Sequence, residues 1–128
     1  MLVRIAATVD RGAYRAQSLR ALLRVVFSLD VSYLRAHPEI PRLYASGVRY
    51  AREPDPSCED FATTPVVLAR GWGDCDDLAP WRAAELVVRD GIAARPELVS
   101  VRPGLWHVVV RRDGGVEDPS RVLGMGVL

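Results

Sequence analysis

Three residues, Cys75, His107 and Asp118, have the types and the order that a thiol-based catalytic site requires. A cysteine can attack a carbonyl carbon, a histidine can take up the thiol proton, and a carboxylate can orient the histidine. Cys75 precedes apolar residues at helical spacing, His107 lies in an apolar stretch typical of a strand, and Asp118 closes the next strand. At a helix start, Cys75 would face the positive end of the helix dipole, which favours the thiolate.

Each of these residues also has a structural interpretation that is as common or commoner when it is taken alone. An isolated cysteine is more often a small buried hydrophobe, and a strand histidine is about as often exposed to solvent. An aspartate before a proline is more often a strand-end cap. The catalytic interpretation gains weight because the three features coincide in one chain.

Three aspartates, Asp74, Asp76 and Asp77, flank the cysteine and would raise the pKa of its thiol if they pointed toward the sulfur. We expect some of them to cap the helix and face solvent, so that a nearby imidazolium holds the thiolate. A metal site built from them is a weaker hypothesis, because we expect sequential aspartates at a helix start not to converge on one ion. The two cysteines and two histidines are too few and too irregularly spaced for structural zinc, so we predict no metal and no cofactor.

A hairpin is predicted to bring the histidine and the aspartate together. A two-residue turn at Asp113-Gly114 would pair Arg112 with Gly115. His107 and Asp118 would then lie on the same face as diagonal neighbours, roughly 7–8 Å apart between backbone positions, which their side chains can bridge. A three-residue turn would put them on opposite faces instead.

A long amphipathic helix is predicted over residues 14–35, because apolar residues recur at helical spacing and arginines fall mostly elsewhere. It should end near His37-Pro38, since the residue before a proline disfavours helix. Asp30 falls on the apolar stripe, and we expect it at the edge of the stripe, paired with an arginine.

The remaining elements are shorter or less regular. A short helix is predicted from Thr64-Pro65 to Gly71, and a tight loop then leads to Cys75. A second long helix should cover 75–89, in which Pro80 either delays the regular helix or distorts its first turn. The predicted strands are 2–9, 48–50, 97–102, 105–112 and 116–118.

Length and composition indicate a single domain, 1–128, with an N-terminal strand and helix region (1–47) and a motif-bearing core (48–128). The net charge of +1 gives no general attraction to nucleic acid. No apolar run approaches the roughly 20 residues of a membrane span, and we identify no signal peptide. We therefore expect a cytoplasmic protein, or one carried by a particle assembled inside the cell, that binds neither nucleic acid nor membrane.

Absent residue types exclude some mechanisms. The chain contains no lysine and no asparagine, which excludes Schiff-base chemistry, cross-linking of its own lysines and a Cys-His-Asn triad. Its cysteines, Cys58 and Cys75, are expected to be free thiols, because nothing indicates an oxidising compartment.

Three segments carry a family resemblance: Gly73-Asp74-Cys75-Asp76-Asp77-Leu78-Ala79, Trp106-His107-Val108 and Glu117-Asp118-Pro119-Ser120. Together they resemble the transglutaminase-like cysteine peptidase superfamily, and most of all its compact forms in tailed-phage and prophage gene clusters. The resemblance implies that Cys75 is the nucleophile, His107 the base and Asp118 the residue that orients the histidine. It also implies an α+β, papain-like fold, in which the cysteine-bearing helix packs on a small antiparallel sheet.

Two departures from the family pattern affect the site. The interval between His107 and Asp118 is shorter than in larger members, and no asparagine can serve an oxyanion hole. The donors would be the Cys75 backbone N–H together with Trp72 or Gln17, of which Trp72 has the better position.

We therefore expect a cysteine-dependent acyl-transfer enzyme that hydrolyses a peptide or other amide bond. Its partners would be a peptide or protein substrate, with phage structural proteins as candidates. The alternative is a non-enzymatic structural or assembly protein of a phage-like particle that retains the fold.

Overall fold

Helices and short strands alternate along the computed structural model, which describes residues 4–7, 15–52 and 59–126. The helices are α1 (Arg15–Ala36), α2 (Thr64–Arg70), α3 (Cys75–Asp90) and α4 (Pro119–Val122). The strands are β1 (Arg4–Ala7), β2 (Arg49–Tyr50), β3 (Glu59–Ala62), β4 (Trp72–Gly73), β5 (Ala94–Arg102), β6 (Leu105–Arg112) and β7 (Gly115–Glu117). The protein is thus of mixed α+β class, as the sequence predicts. Cys58 and the ends of the predicted strand 2–9 lie outside the described residues.

The strands form three small sheets. Strands β5, β6 and β7 make an antiparallel sheet in that order, β1 pairs with β3 antiparallel, and β2 pairs with β4 in parallel. Arg112 lies opposite Gly115 and Val110 opposite Glu117, so the predicted two-residue hairpin turn is confirmed. The pairing of β6 with β7 ends at Glu117, and α4 begins two residues later, at Pro119.

The helices α1 and α3 pack on each other, and α3 packs on β5 and β6. This interface exists because both helices carry apolar residues at helical spacing and the strands present apolar residues on the facing side. The core between them contains Leu19, Leu23, Val26, Phe61, Ala79, Ala83, Leu86, Leu98, Val108 and Val110. Within the described part of the chain, no helix has the length and apolar character needed to cross a membrane.

Helix α3 begins at Cys75 although Pro80 lies within it. The carbonyl oxygen of Asp74 accepts the N–H of Leu78 at 2.9 Å and that of Asp77 at 3.1 Å, so the first turn is tightened. Of the two predicted consequences of Pro80, the delayed helix is wrong. Proline removes one helical hydrogen bond, and the helix continues past it because its inner face is buried.

Asp30 is fully buried in α1, so the prediction that it lies at the stripe's edge with an arginine is wrong. Its Oδ1 accepts the backbone N–H of Thr64 at 2.7 Å, at the start of α2. Helix starts leave N–H groups without partners, and here a carboxylate from another helix supplies the acceptor. Burial raises the pKa of Asp30 to about 7, although the hydrogen bonds from Thr64 act in the opposite direction.

Four short elements are not predicted by the sequence, and one of them is a 3₁₀ helix at Leu43–Ala45. The loop predicted before Cys75 contains β4, and neither β3 nor α4 gave a periodic signal, since each spans only four residues.

Candidate active site

The chain reaches Cys75 through two glycines with different roles. Gly71 ends α2 in the left-handed conformation, at φ 85°, which glycine adopts without strain. Gly73 is buried, and a Cβ at this position would lie 3.1 Å from the Cβ of Asp77 and 3.2 Å from the Cδ2 of Leu78. A Cβ here would crowd the first turn of α3, so glycine suits this close approach of β4.

Asp77 fixes the start of α3 from within. Its side chain is fully buried and accepts the N–H of Ala62 at 2.7 Å, the Arg70 guanidinium at 2.8 Å and the N–H of Asp74 at 3.2 Å. These bonds connect α3 to β3 and α2, so they hold the segment on either side of Cys75.

Not all of the aspartates around Cys75 face solvent. This agrees with our expectation that only some of them would cap the helix and be exposed. Asp76 and Asp77 are only 7% and 0% exposed, while Asp74 is partly exposed and is the N-cap residue. Their oxygens approach within 4.8 Å of one another, so our expectation that they could not converge is wrong. Both oxygens of Asp77 already accept hydrogen bonds, and a cation here would compete with Arg70.

Burial and the neighbouring charge of Asp74 raise the pKa of both Asp76 and Asp77. A proton within the cluster is thereby favoured over three full negative charges, because like charges at this separation repel strongly in a buried site.

Cys75 carries a free thiol, and the residue as a whole is partly exposed. Burial raises the pKa of the Cys75 thiol above its usual range, and the charges of Asp74, Asp77 and Asp118 act in the same direction. The backbone of Val108, the residue after His107, acts in the opposite direction and lowers that pKa. Together these effects favour the neutral thiol in the resting protein.

His107 and Asp118 form a hydrogen-bonded pair, with Nε2 of the imidazole 2.9 Å from Oδ2 of the carboxylate. The histidine is only 5% exposed. Asp118 follows β7 directly and occupies the N-cap position of α4. Because an ionised carboxylate only accepts hydrogen bonds, Nε2 carries the proton in neutral His107 and Nδ1 holds the free lone pair.

A charged network, which the sequence analysis did not identify, connects α3 to the residue before Asp118. Glu117 Oε2 accepts Arg82 Nε of α3 at 2.5 Å and the Tyr44 hydroxyl at 2.5 Å, and its Oε1 accepts Arg112 at 2.9 Å. Arg82 also donates to buried Glu85 at 2.6 Å. This network fixes the end of β7, and with it Asp118, relative to the helix that carries Cys75.

The sequence analysis also does not identify Tyr50, a polar residue near the thiol. Its partner in the β2–β4 pair is Gly73, which precedes Cys75 by two residues. Burial raises the pKa of its phenol, and the charge of Cys75 adds to this effect. A two-residue strand carries no periodic signal, so only the register of the pair shows this proximity.

The two oxyanion candidates from the sequence have different surroundings. The Trp72 ring lies under the Arg70 guanidinium, 3.7 Å from ring centre to carbon, and Gln17 is exposed on α1. Their participation in an oxyanion hole stays a prediction.

No protein-family model, curated protein or solved structure matches this chain.

Proposed function

We propose that this protein is a cysteine-dependent acyl-transfer enzyme that hydrolyses a peptide or other amide bond. The observation that carries the proposal is the hydrogen bond of 2.9 Å between His107 and Asp118, because His107 lies on β6, which packs on the helix that begins with Cys75. A nucleophile, a base and a group that orients the base are what such a reaction needs.

In the first step, the Cys75 sulfur attacks the amide carbonyl carbon while its proton passes to Nδ1 of His107. Asp118 accepts the Nε2 proton throughout and stabilises the imidazolium that forms. Since the surroundings favour a neutral thiol, His107 acts as a general base during attack and no standing thiolate is needed.

The tetrahedral intermediate carries its negative charge on the former carbonyl oxygen. The backbone N–H of Cys75 belongs to the first turn of α3, where no helical acceptor is present. Our candidate for the second donor is the Tyr50 hydroxyl, because the phenol is close enough for the charge of Cys75 to act on its pKa. Such donors supply much of the rate acceleration in acyl transfer.

The intermediate then collapses, the carbon–nitrogen bond breaks, and His107 returns its proton to the leaving amine. Water, deprotonated by the same histidine, attacks the thioester carbonyl. This step releases the acid and restores the thiol of Cys75.

A papain-like arrangement and a place among transglutaminase-like cysteine peptidases of phages or prophages belong to the same proposal. The motif resemblance around Cys75, His107 and Asp118 supports both, and so does the packing of α3 on the antiparallel β5–β6–β7 sheet.

The alternative, a non-enzymatic assembly protein of a phage-like particle, is favoured by one observation. Burial and three aspartates raise the pKa of Cys75, as expected for a cysteine kept as a structural thiol. The His107–Asp118 pair supports the enzyme, because it supplies a base together with the carboxylate that orients it.

A panel of fluorogenic peptide amides tests the enzyme directly. Wild type should release the fluorophore, Cys75→Ala should lose the activity, and Cys58→Ala, the matched control, should keep it. Equal turnover by wild type and Cys75→Ala would remove the thiol from the mechanism.

A further inference from the structure

A groove lies between α1 and β5, next to the candidate active site. It encloses about 560 Å³, within the range of about 300–1,000 Å³ that ligand sites occupy. Its apolar floor is formed by Leu23, Phe27, Pro96 and Leu98.

The groove adjoins a smaller cleft of about 70 Å³ that Cys75 and Trp106 line. Leu23 and Leu98 line both spaces, so a chain that fills the groove can continue toward the thiol. The smaller cleft has about an eighth of the groove's volume and therefore admits only a small group next to the reacting bond.

The rim of the groove is basic. Three arginines, Arg20, Arg24 and Arg95, line it together with one acid, Glu97. Glu97 already pairs with Arg111 at 2.8 Å and lies 3.9 Å from Arg95. Arg20 and Arg24 are exposed one helical turn apart, and within the described parts of the chain neither has an acidic partner.

One wall of the groove is an edge strand. In its sheet β5 pairs only with β6, so among the described residues its outer backbone groups have no strand partner. An extended peptide can use such an edge for main-chain hydrogen bonds, while pockets beside it select side chains.

We propose that the groove between α1 and β5 binds an extended acidic peptide and presents its adjoining amide bond to Cys75. An apolar side chain of the peptide lies on the floor, and its carboxylates pair with Arg20 and Arg24, whose planar guanidinium groups suit carboxylates. The apolar floor favours a peptide over a nucleic acid strand, which would use the arginines but not Leu23 and Phe27. The proposal rests on the proposed function and names its substrate class.

Fluorescence anisotropy with Cys75→Ala protein measures binding without turnover. The probe is a fluorescein-labelled peptide in which glutamates alternate with leucines and which ends in Ala-Gly. One comparison peptide replaces the glutamates by lysines, and another replaces the leucines by alanines. We expect the acidic probe to bind at least tenfold more tightly than the lysine peptide and several-fold more tightly than the alanine peptide.

Charge reversal on the protein locates the binding site. Arg20→Glu with Arg24→Glu should weaken binding of the acidic probe at least tenfold. The matched control, Arg35→Glu with Arg42→Glu, reverses two exposed arginines that do not line the groove and should change binding less than twofold. Circular dichroism of both variants establishes that they are folded.

Undetectable binding of the acidic probe at 1 mM would overturn the groove assignment, as would equal losses in the two double variants. These outcomes are separate from those of the catalytic test. Binding that persists while wild type fails to cleave any amide would refute the proposed function and leave the groove in place.

Discussion

Asp30 gives the most quantitative prediction, because it is a fully buried carboxyl whose pKa is raised by burial from 3.8 to about 7. Between pH 3.8 and about pH 7, the carboxyl group of Asp30 is protonated in the native protein and ionised in the unfolded chain. The free energy of unfolding therefore falls as the pH rises through this window, and the fall ends above about pH 7. Asp30→Asn keeps an oxygen acceptor for the Thr64 N–H and removes the titration.

The size of the effect follows from the width of the window. Over each pH unit in which the native state holds one proton more than the unfolded state, the free energy of unfolding falls by about 1.4 kcal/mol. From pH 5 to pH 8 about two such units are crossed, so Asp30 should account for a loss of about 3 kcal/mol. This is a large share of the about 5–15 kcal/mol that stabilises a typical domain.

Urea denaturation at pH 5 and pH 8, followed by the fluorescence of the three tryptophans, measures this loss. Asp76 and Asp77 also have raised pKa values, so the wild type should lose more than the share of Asp30. The informative quantity is the difference in loss between wild type and Asp30→Asn.

A matched control is Asp90→Asn, at a surface carboxylate whose pKa is lowered by hydrogen bonds from Arg42. It should leave the loss between pH 5 and pH 8 unchanged. Parallel losses in wild type and Asp30→Asn would refute the claim that buried Asp30 titrates near neutral pH.

Three further substitutions test the site. Tyr50→Phe should lower kcat about tenfold to a hundredfold with little change in KM, because an oxyanion donor acts in the transition state; steady-state kinetics with an unchanged kcat would exclude this role. Gly73→Ala should destabilise the fold by about 1–3 kcal/mol in urea, since its Cβ meets Asp77 and Leu78, whereas Gly126→Ala, with open space around it, should not. Glu117→Gln should lower the free energy of unfolding by about 1–3 kcal/mol and also lower kcat, because it weakens the bonds that hold β7 to α3. A variant that loses stability but keeps full kcat would show that this network does not position the site.

The sequence was sufficient to predict the features that depend on local chemistry. A two-residue Asp113-Gly114 turn sets the register of the hairpin, and that register led to the correct pairing of Arg112 with Gly115. The contact between His107 and Asp118 was anticipated on the same basis. The start of α3 at Cys75 was likewise one of the predicted possibilities.

The features that were missed depend on partners that are distant in the chain. Asp30 and Asp77 could be buried only because the backbone N–H groups of Thr64 and Ala62, from other elements, came within hydrogen-bond distance. Nothing in the spacing of aspartates reveals such acceptor roles. Tyr50 was missed for a related reason, since a parallel pairing of two-residue strands leaves no pattern in the sequence.

The central claim, that Cys75, His107 and Asp118 act as one unit, is tested most directly by the rate at which iodoacetamide alkylates Cys75 at pH 7. In a Cys58→Ala background, intact-protein mass spectrometry follows this thiol alone. His107→Gln should slow the reaction at least tenfold and Asp118→Asn by a smaller factor, because the first removes the base and the second only its orientation. His37→Gln, at the chain's other histidine, should leave the rate unchanged. Equal rates in all four proteins would contradict the account.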